Sequence, residues 1–256
     1  MNLPDFAFDG SLLGAPLAAG LLVVATHVLL GRRVLERGII FIDITIAQMA
    51  ALGVVVAGAA GFAEDDGPAW HAQAAAGIAA LLTAGLLAWT ETRFRRVQEA
   101  LIGSLYVIGA SAALLVLSRN PHGAEHLQEL LAGQILWVGM AQVWPVAALY
   151  AALLLGWALW AHRRPGAFYF LFAIAVMASV QLVGVYVVFA TLILPALATH
   201  GLPERRGLPL GYALGAAGYG LGLWLSVPFD LPAGPFVVCV LAALALAAAL
   251  VRRVWR

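Results

Sequence analysis

An apolar run of about 32 residues, 167–198, is bounded by arginine pairs, Arg163 and Arg164 before it and Arg205 and Arg206 after it. As one straight helix it would be roughly 48 Å long at ~1.5 Å per residue, against a bilayer core of ~30 Å. Short arginine-bearing loops stay on the cytoplasmic side, so the run has to enter the membrane and come back. Two crossings in so few residues require short or re-entrant pieces, and Gly184 and Pro195 are where a helix breaks most easily. Non-helical backbone at that depth is tolerated only where protein buries it or water lines it. The run is expected to be a broken-helix hairpin, hinged at Gly184 and Pro195, beside a transport path.

The rest of the chain supplies the bundle such a hairpin needs. The 256 residues are 63% hydrophobic and 11% charged, with mean hydropathy +0.95, values outside the range of soluble domains. Apolar runs at 12–30, 39–61, 70–89, 98–117, 141–161, 208–227 and 235–251 join the hairpin. They predict one all-α domain, 1–256, a polytopic transmembrane helical bundle of about eight spans. Between them, residues 118–139 make an amphipathic connection, whose Leu127, Leu130, Leu131, Ile135 and Trp137 suit a helix on the surface of the bilayer or the bundle. Threading the spans puts thirteen of the fourteen arginines, all but Arg119, in the cytoplasm and most acids outside. The N-terminus is then outside and the C-terminus inside. The opening MNLPDFAFDG is acidic and lacks the basic n-region of a cleaved signal, so the first run is read as a span.

Composition also excludes functions. All fourteen basic residues are arginine, and a Walker A loop needs a lysine to hold the β- and γ-phosphates. The chain is therefore not expected to hydrolyse ATP or to act as an enzyme, and any energy from ATP has to come from a partner. Cys239 is the single cysteine, which rules out an intrachain disulfide and a multi-cysteine metal cage.

Few residues could carry chemistry. Asp43 is the one carboxylate placed well inside a span; a charge at mid-bilayer costs at least ~2.5 kcal/mol and so faces a cavity or a partner. The alternative is that it reaches Arg37 or the interface. His122, Glu125 and His126 put two imidazoles one helical turn apart with a carboxylate between, a spacing able to hold zinc. The same string fits the H-x-x-E-H pattern of some zinc peptidases, so a membrane peptidase is an alternative of another class. The motif sits in an outer loop beside Pro121, which suits a transient acceptor at a pore mouth or a plain solvated loop better than a buried catalytic site. Glu64, Asp65, Asp66 and His71 share the outer side and could concentrate cations at an entrance. His27, alone on an apolar span, reads as a satisfied interior histidine.

Three segments carry a resemblance to a known family: RRVLERGIIFIDITIAQMAALG at 32–53, QLVGVYVVFATLILPALAT at 181–199 and FDLPAGPFVVCVLAALAL at 229–246. Weaker similarity covers 99–115 and 127–138 in the same order. The chain resembles the permease subunits of ABC importers for zinc, manganese or iron, relatives of the vitamin B12 and siderophore permeases. The resemblance implies a homodimer in a bacterial plasma membrane with the pathway at the subunit interface. It also implies two ATPase subunits in the cytoplasm carrying the ATP and a soluble metal-binding protein outside. The cargo would be a divalent metal ion, with no permanently bound cofactor and no nucleic acid partner.

By the same resemblance Asp43 becomes a metal ligand or gate on the pore helix. The family histidine falls on Gln48, one residue further from Asp43 than usual, so the two need not share a face. An amide is a poor zinc ligand and acceptable to manganese or calcium-like ions; Gln48 could line the pathway or bond neighbouring helices. Residues 195–207 correspond to the family's coupling helix, which docks on the ATPase. Pro195 opens that segment, Leu197 would be its apolar anchor, and Glu204, Arg205 and Arg206 its polar contacts; a plain arginine-rich loop is the alternative. A stretch that the family carries before Pro165 is missing here. A chelated metal as cargo and a secondary carrier are further alternatives.

Overall fold

The computed structural model describes residues 10–62, 69–117, 135–159, 166–229 and 231–254. In lipid each backbone N–H and C=O has to be satisfied within its own segment, and the apolar runs accordingly become helices. They are α1 (Gly10–Arg37), α2 (Ile42–Ala59), α3 (Ala69–Arg93), α4 (Gln98–Leu117) and α5 (Met140–Leu159), then α6 (Ala167–Val183), α7 (Val185–Ala198), α8 (Glu204–Ser226) and α9 (Ala233–Val254). Short 3₁₀ turns lie at Arg95–Val97 and Ile135–Trp137, and the described residues contain no strand. The turn at Ile135–Trp137 is the described end of the amphipathic connection, with Ile135 buried and Trp137 exposed; the rest of that connection lies outside the described residues.

Six helices, α1 to α5 and α9, are long and apolar enough to cross a membrane. The eighth, α8, has 23 residues, which is long enough, but its charged first turn and its glycines lower its hydropathy. With the α6–α7 pair this makes the multi-pass bundle that the apolar runs predict.

The α6–α7 pair is a hairpin held against α1. Phe168, at the start of α6, lies under the Arg37 guanidinium at 4.2 Å. One and a half turns short of the break, Ser179 Oγ is 3.2 Å from His27 Nε2. The break is a single residue, Gly184, at φ 84 and ψ 162, a region that only glycine enters without strain. Hydrogen bonds resume at once on both sides, Gly184 N–H to Val180 O at 2.9 Å and Val188 N–H to Gly184 O at 3.1 Å. The return arm ends at Thr199, whose hydroxyl accepts from Arg32 at 3.3 Å. Both ends of the hairpin thus meet the arginine end of α1. Its arms diverge: α6 packs chiefly on α3 and α2, and α7 on α1 and α9. The second expected hinge differs, because α7 runs through Pro195 without a break. Pro195 has no N–H to return to the Thr191 carbonyl, yet helical geometry continues past it to Ala198.

Close packing around α1, α8 and α9 depends on glycine. In α8, Gly207, Gly211, Gly215, Gly218 and Gly222 are all buried. A Cβ on Gly211 would lie 2.8 Å from Val28, and one on Gly215 2.8 Å from Val24, both on α1; a Cβ on Gly222 would lie 2.7 Å from Val237 on α9. On α1 itself, a Cβ on Gly31 would run into the Leu192 carbonyl of α7. Small residues let backbones approach where lipid provides no hydrophobic drive. The same contacts, with Arg37 pairing Glu91 at 3.5 Å and Arg33 lying 3.9 Å from Glu204, gather the described arginines at one end of the bundle.

Two results follow. Gly31→Ala places a methyl against backbone that cannot move aside and should lower unfolding stability in detergent by about 1–3 kcal/mol, whereas Gly103→Ala, with open space around it, should be neutral or slightly stabilising in a thermal melt. In a Cys239→Ser background, single cysteines at Gly166 and Arg205 should react with a membrane-impermeant thiol reagent from the same side; labelling from opposite sides would dismiss the hairpin.

Candidate functional site

The turn between α1 and α2 delivers Asp43 to the interior. Gly38, at φ 69, reverses the chain, and Ile39 N–H closes on Val34 O at 3.3 Å. Asp43 is then in the first turn of α2. The N–H of the N-cap residue, Phe41, is taken by Glu99 Oε1 from α4 at 3.2 Å. Asp43 is left 1% exposed with neither carboxylate oxygen hydrogen-bonded. It does not reach Arg37, which pairs with Glu91.

Gln48 is also buried, 4% exposed, and its Nε2 has no partner. Its side chain packs toward α4, where a Cβ on Gly109 would lie 3.5 Å from Gln48 Cγ. Five helical residues separate Asp43 from Gln48, about 140° around the axis, so they face different neighbours. Thr45, between them, is satisfied, donating 3.1 Å to Ile102 O of α4 and 2.9 Å to Phe41 O.

Beside Asp43 runs a chain of satisfied polar groups from three helices. The Tyr150 hydroxyl on α5 donates to Ala175 O at 3.0 Å and meets Ser179 Oγ. Ser179 reaches His27 Nε2, and His27 Nδ1 lies 2.9 Å from Thr26 Oγ1 and 3.1 Å from Val23 O. His27 is therefore the satisfied interior histidine that its isolation on an apolar span suggests. Sequence reasoning singled out neither Tyr150 nor Ser179; the signal was a hydroxyl in an otherwise apolar span, without any indication of which way it faced.

At the arginine end, the segment 195–207 divides into three parts. Pro195 and Leu197 belong to α7, residues 199–203 form a turn, and Glu204, Arg205 and Arg206 open α8. No separate short helix occurs there among the described residues. Leu197 is 50% exposed, and His200, Glu204, Arg205 and Arg206 are exposed around it. At the opposite end His71 stands in the first turns of α3 with its ring 3.9 Å from that of Trp70. His122, Glu125, His126, Glu64, Asp65 and Asp66 lie outside the described residues. Among the described residues no three His, Cys, Asp or Glu side chains gather into a metal cage.

A multi-pass helical bundle with a broken hairpin and unpartnered polar groups in its interior has the architecture of a membrane permease. The chain belongs to the ABC 3 transport family, whose model matches residues 11–165 and 161–252. The two matched segments meet at 161–165, where the missing stretch is expected. PsaBC from Streptococcus pneumoniae, solved in complex with Fab, is similar in structure, with TM-score 0.70 and 20% identity over 93% of this chain and 90% of that one. A structure described as an inward-facing metal-chelate type ABC transporter is similar at TM-score 0.68 and 16% identity, over 91% and 84%. No curated protein matches. As a family member the chain is a transport subunit, in keeping with a sequence that holds no Walker A lysine.

An unpartnered buried carboxylate costs stability and is kept for another reason. Asp43→Asn should therefore leave the thermal stability of the isolated permease unchanged or raise it. A clear loss of stability would mean that the carboxylate has a structural partner.

Proposed function

We propose that the chain forms the translocation pathway of an ABC importer for a divalent metal ion, zinc or manganese, and works as a homodimer. The observation that carries this is the Asp43 carboxylate, buried on α2 with both oxygens free to take a cation. A cation passing it finds oxygen donors, the Asp43 carboxylate first and then the Gln48 amide, as separate stations rather than one cage. Hard oxygen ligands suit manganese better than zinc. The metal is cargo, handed over by a soluble metal-binding protein on the outer side; positive-inside logic puts the arginine end, and with it the C-terminus, in the cytoplasm.

Energy enters at that end. A cytoplasmic ATPase subunit grips the exposed patch of Leu197, Glu204, Arg205 and Arg206, and nucleotide-driven closure pulls on α7 and α8. The broken hairpin turns that pull into motion inside the membrane, because Gly184 lets α6 and α7 pivot independently. A chelated metal is the second reading, supported by the fold shared with a metal-chelate type transporter.

In reconstituted vesicles Asp43→Asn should abolish uptake of radioactive manganese and zinc while ATPase association and oligomer size stay as in the unmodified protein; full uptake would exclude the pathway role. Replacing Glu204, Arg205 and Arg206 together with alanine should release the ATPase on co-purification, and unchanged association would remove the docking assignment.

A further inference from the structure

The turn between α7 and α8 has more carbonyls than its own backbone can satisfy. A helix leaves its last carbonyls without intrahelical donors. Here Pro195 O takes the Thr199 N–H at 3.1 Å, Leu197 O takes His200 N–H at 3.1 Å and Thr199 O takes Leu202 N–H at 3.1 Å. The Thr199 hydroxyl reaches Ala196 O at 3.3 Å, and the carbonyls of Ala198, His200 and Leu202 take donors from outside the turn. Two guanidiniums reach them from elsewhere in the chain. Arg252, near the end of α9, donates to Ala198 O and, at 3.0 Å, to His200 O. Arg32, on α1, donates to Leu202 O at 3.1 Å, to the Thr199 hydroxyl at 3.3 Å and to Thr199 O at 3.5 Å.

The surroundings are shaped for these contacts. Gly207 is where the Arg32 guanidinium passes α8: a Cβ there would lie 3.0 Å from Arg32 Cζ. Gly201, at φ 77, makes the reversal that brings the carbonyls of residues 198–202 to face α1 and α9. Neither arginine pairs with a described acid, in contrast to Arg33 and Arg37. Cations at a helix C-terminus are favourable, and here the two come from different helices. Two forks from the first and last helices make the turn a junction of α1, α7, α8 and α9.

We propose that Arg32 and Arg252 are positioning residues for energy coupling: they fasten the 199–203 turn to α1 and α9, so that displacement of the ATPase-docking patch moves four helices as one body. This rests on the docking role assigned to Leu197, Glu204, Arg205 and Arg206. Without the two guanidiniums the turn would still present that patch but would give way locally. The pull would then be absorbed in residues 199–203 instead of reaching the pathway.

The test uses the full transporter, permease with its ATPase, reconstituted in vesicles, with three readouts: ATPase co-purification, ATP hydrolysis, and manganese moved per ATP. Arg32→Gln and Arg252→Gln should keep the ATPase bound and lower manganese moved per ATP by about tenfold or more, in the usual range of coupling between sites. Arg32→Lys keeps the charge but cannot bridge Thr199 and Leu202 at once, and should restore only part of the ratio. Gly207→Ala, which displaces Arg32 without removing a charge, should reproduce the loss. An unchanged ratio in both glutamine variants, full rescue by lysine, or loss of ATPase binding in step with transport would each overturn the proposal. Failure of the docking assignment is seen separately, in the triple alanine variant of Glu204, Arg205 and Arg206.

Discussion

A helix that stops inside a membrane leaves amides and carbonyls where no water can reach them, and the structure is arranged around meeting that demand for α6 and α7. At the break the chain's own hydrogen bonds on either side of Gly184 meet it, and the first helix holds the two arms in place. Along one side of α1, Arg37 covers the start of α6, His27 holds Ser179 near the apex, Gly31 lets the Leu192 carbonyl approach, and Arg32 ties the far end of α7. These contacts follow the hairpin up and down. Each arm satisfies its own backbone as a helix; what α1 adds is the set of side-chain and close-packing contacts that keep the two arms folded against each other.

Glycine has opposite uses in this fold. At Gly184 it supplies a backbone conformation closed to other residues. In α8 the glycines are ordinary helical residues whose value is the missing side chain, since Val24, Val28 and Val237 occupy the space a Cβ would need. A glycine-rich α8 is a poor helix by propensity and a weak span by hydropathy. It is nonetheless held on two sides, by α1 and α9, because van der Waals contact at short range replaces the hydrophobic drive that lipid cannot supply.

The polar interior shows how structure and function divide between neighbours. Tyr150, Ser179, His27 and Thr26 satisfy one another and tie three helices together. Asp43 is given nothing, while the Phe41 amide at the start of its helix is bound by Glu99. Stability would be better served by an apolar residue at that position. In the proposed pathway role, a group held unpaired suits a transient cargo, because a site already satisfied by protein would not exchange its partners for a passing ion.

Length and hydropathy made the multi-pass helical bundle and the broken hairpin legible from the sequence, since helix length against bilayer thickness is a one-dimensional constraint. Asp43 was legible for the same reason: a lone acid in an apolar run is visible wherever it points. Which residue would break the hairpin was not, because Gly184 and Pro195 are both helix breakers and only their position within the finished helix separates them. Nor could sequence tell that Arg32 and Arg252, which read only as topology signals, close the turn after α7. Their partners are backbone carbonyls, which every residue carries and which leave no pattern in a sequence; only the tertiary structure, by bringing the two ends of the chain to one turn, decides which carbonyls lack a donor and which side chains supply it.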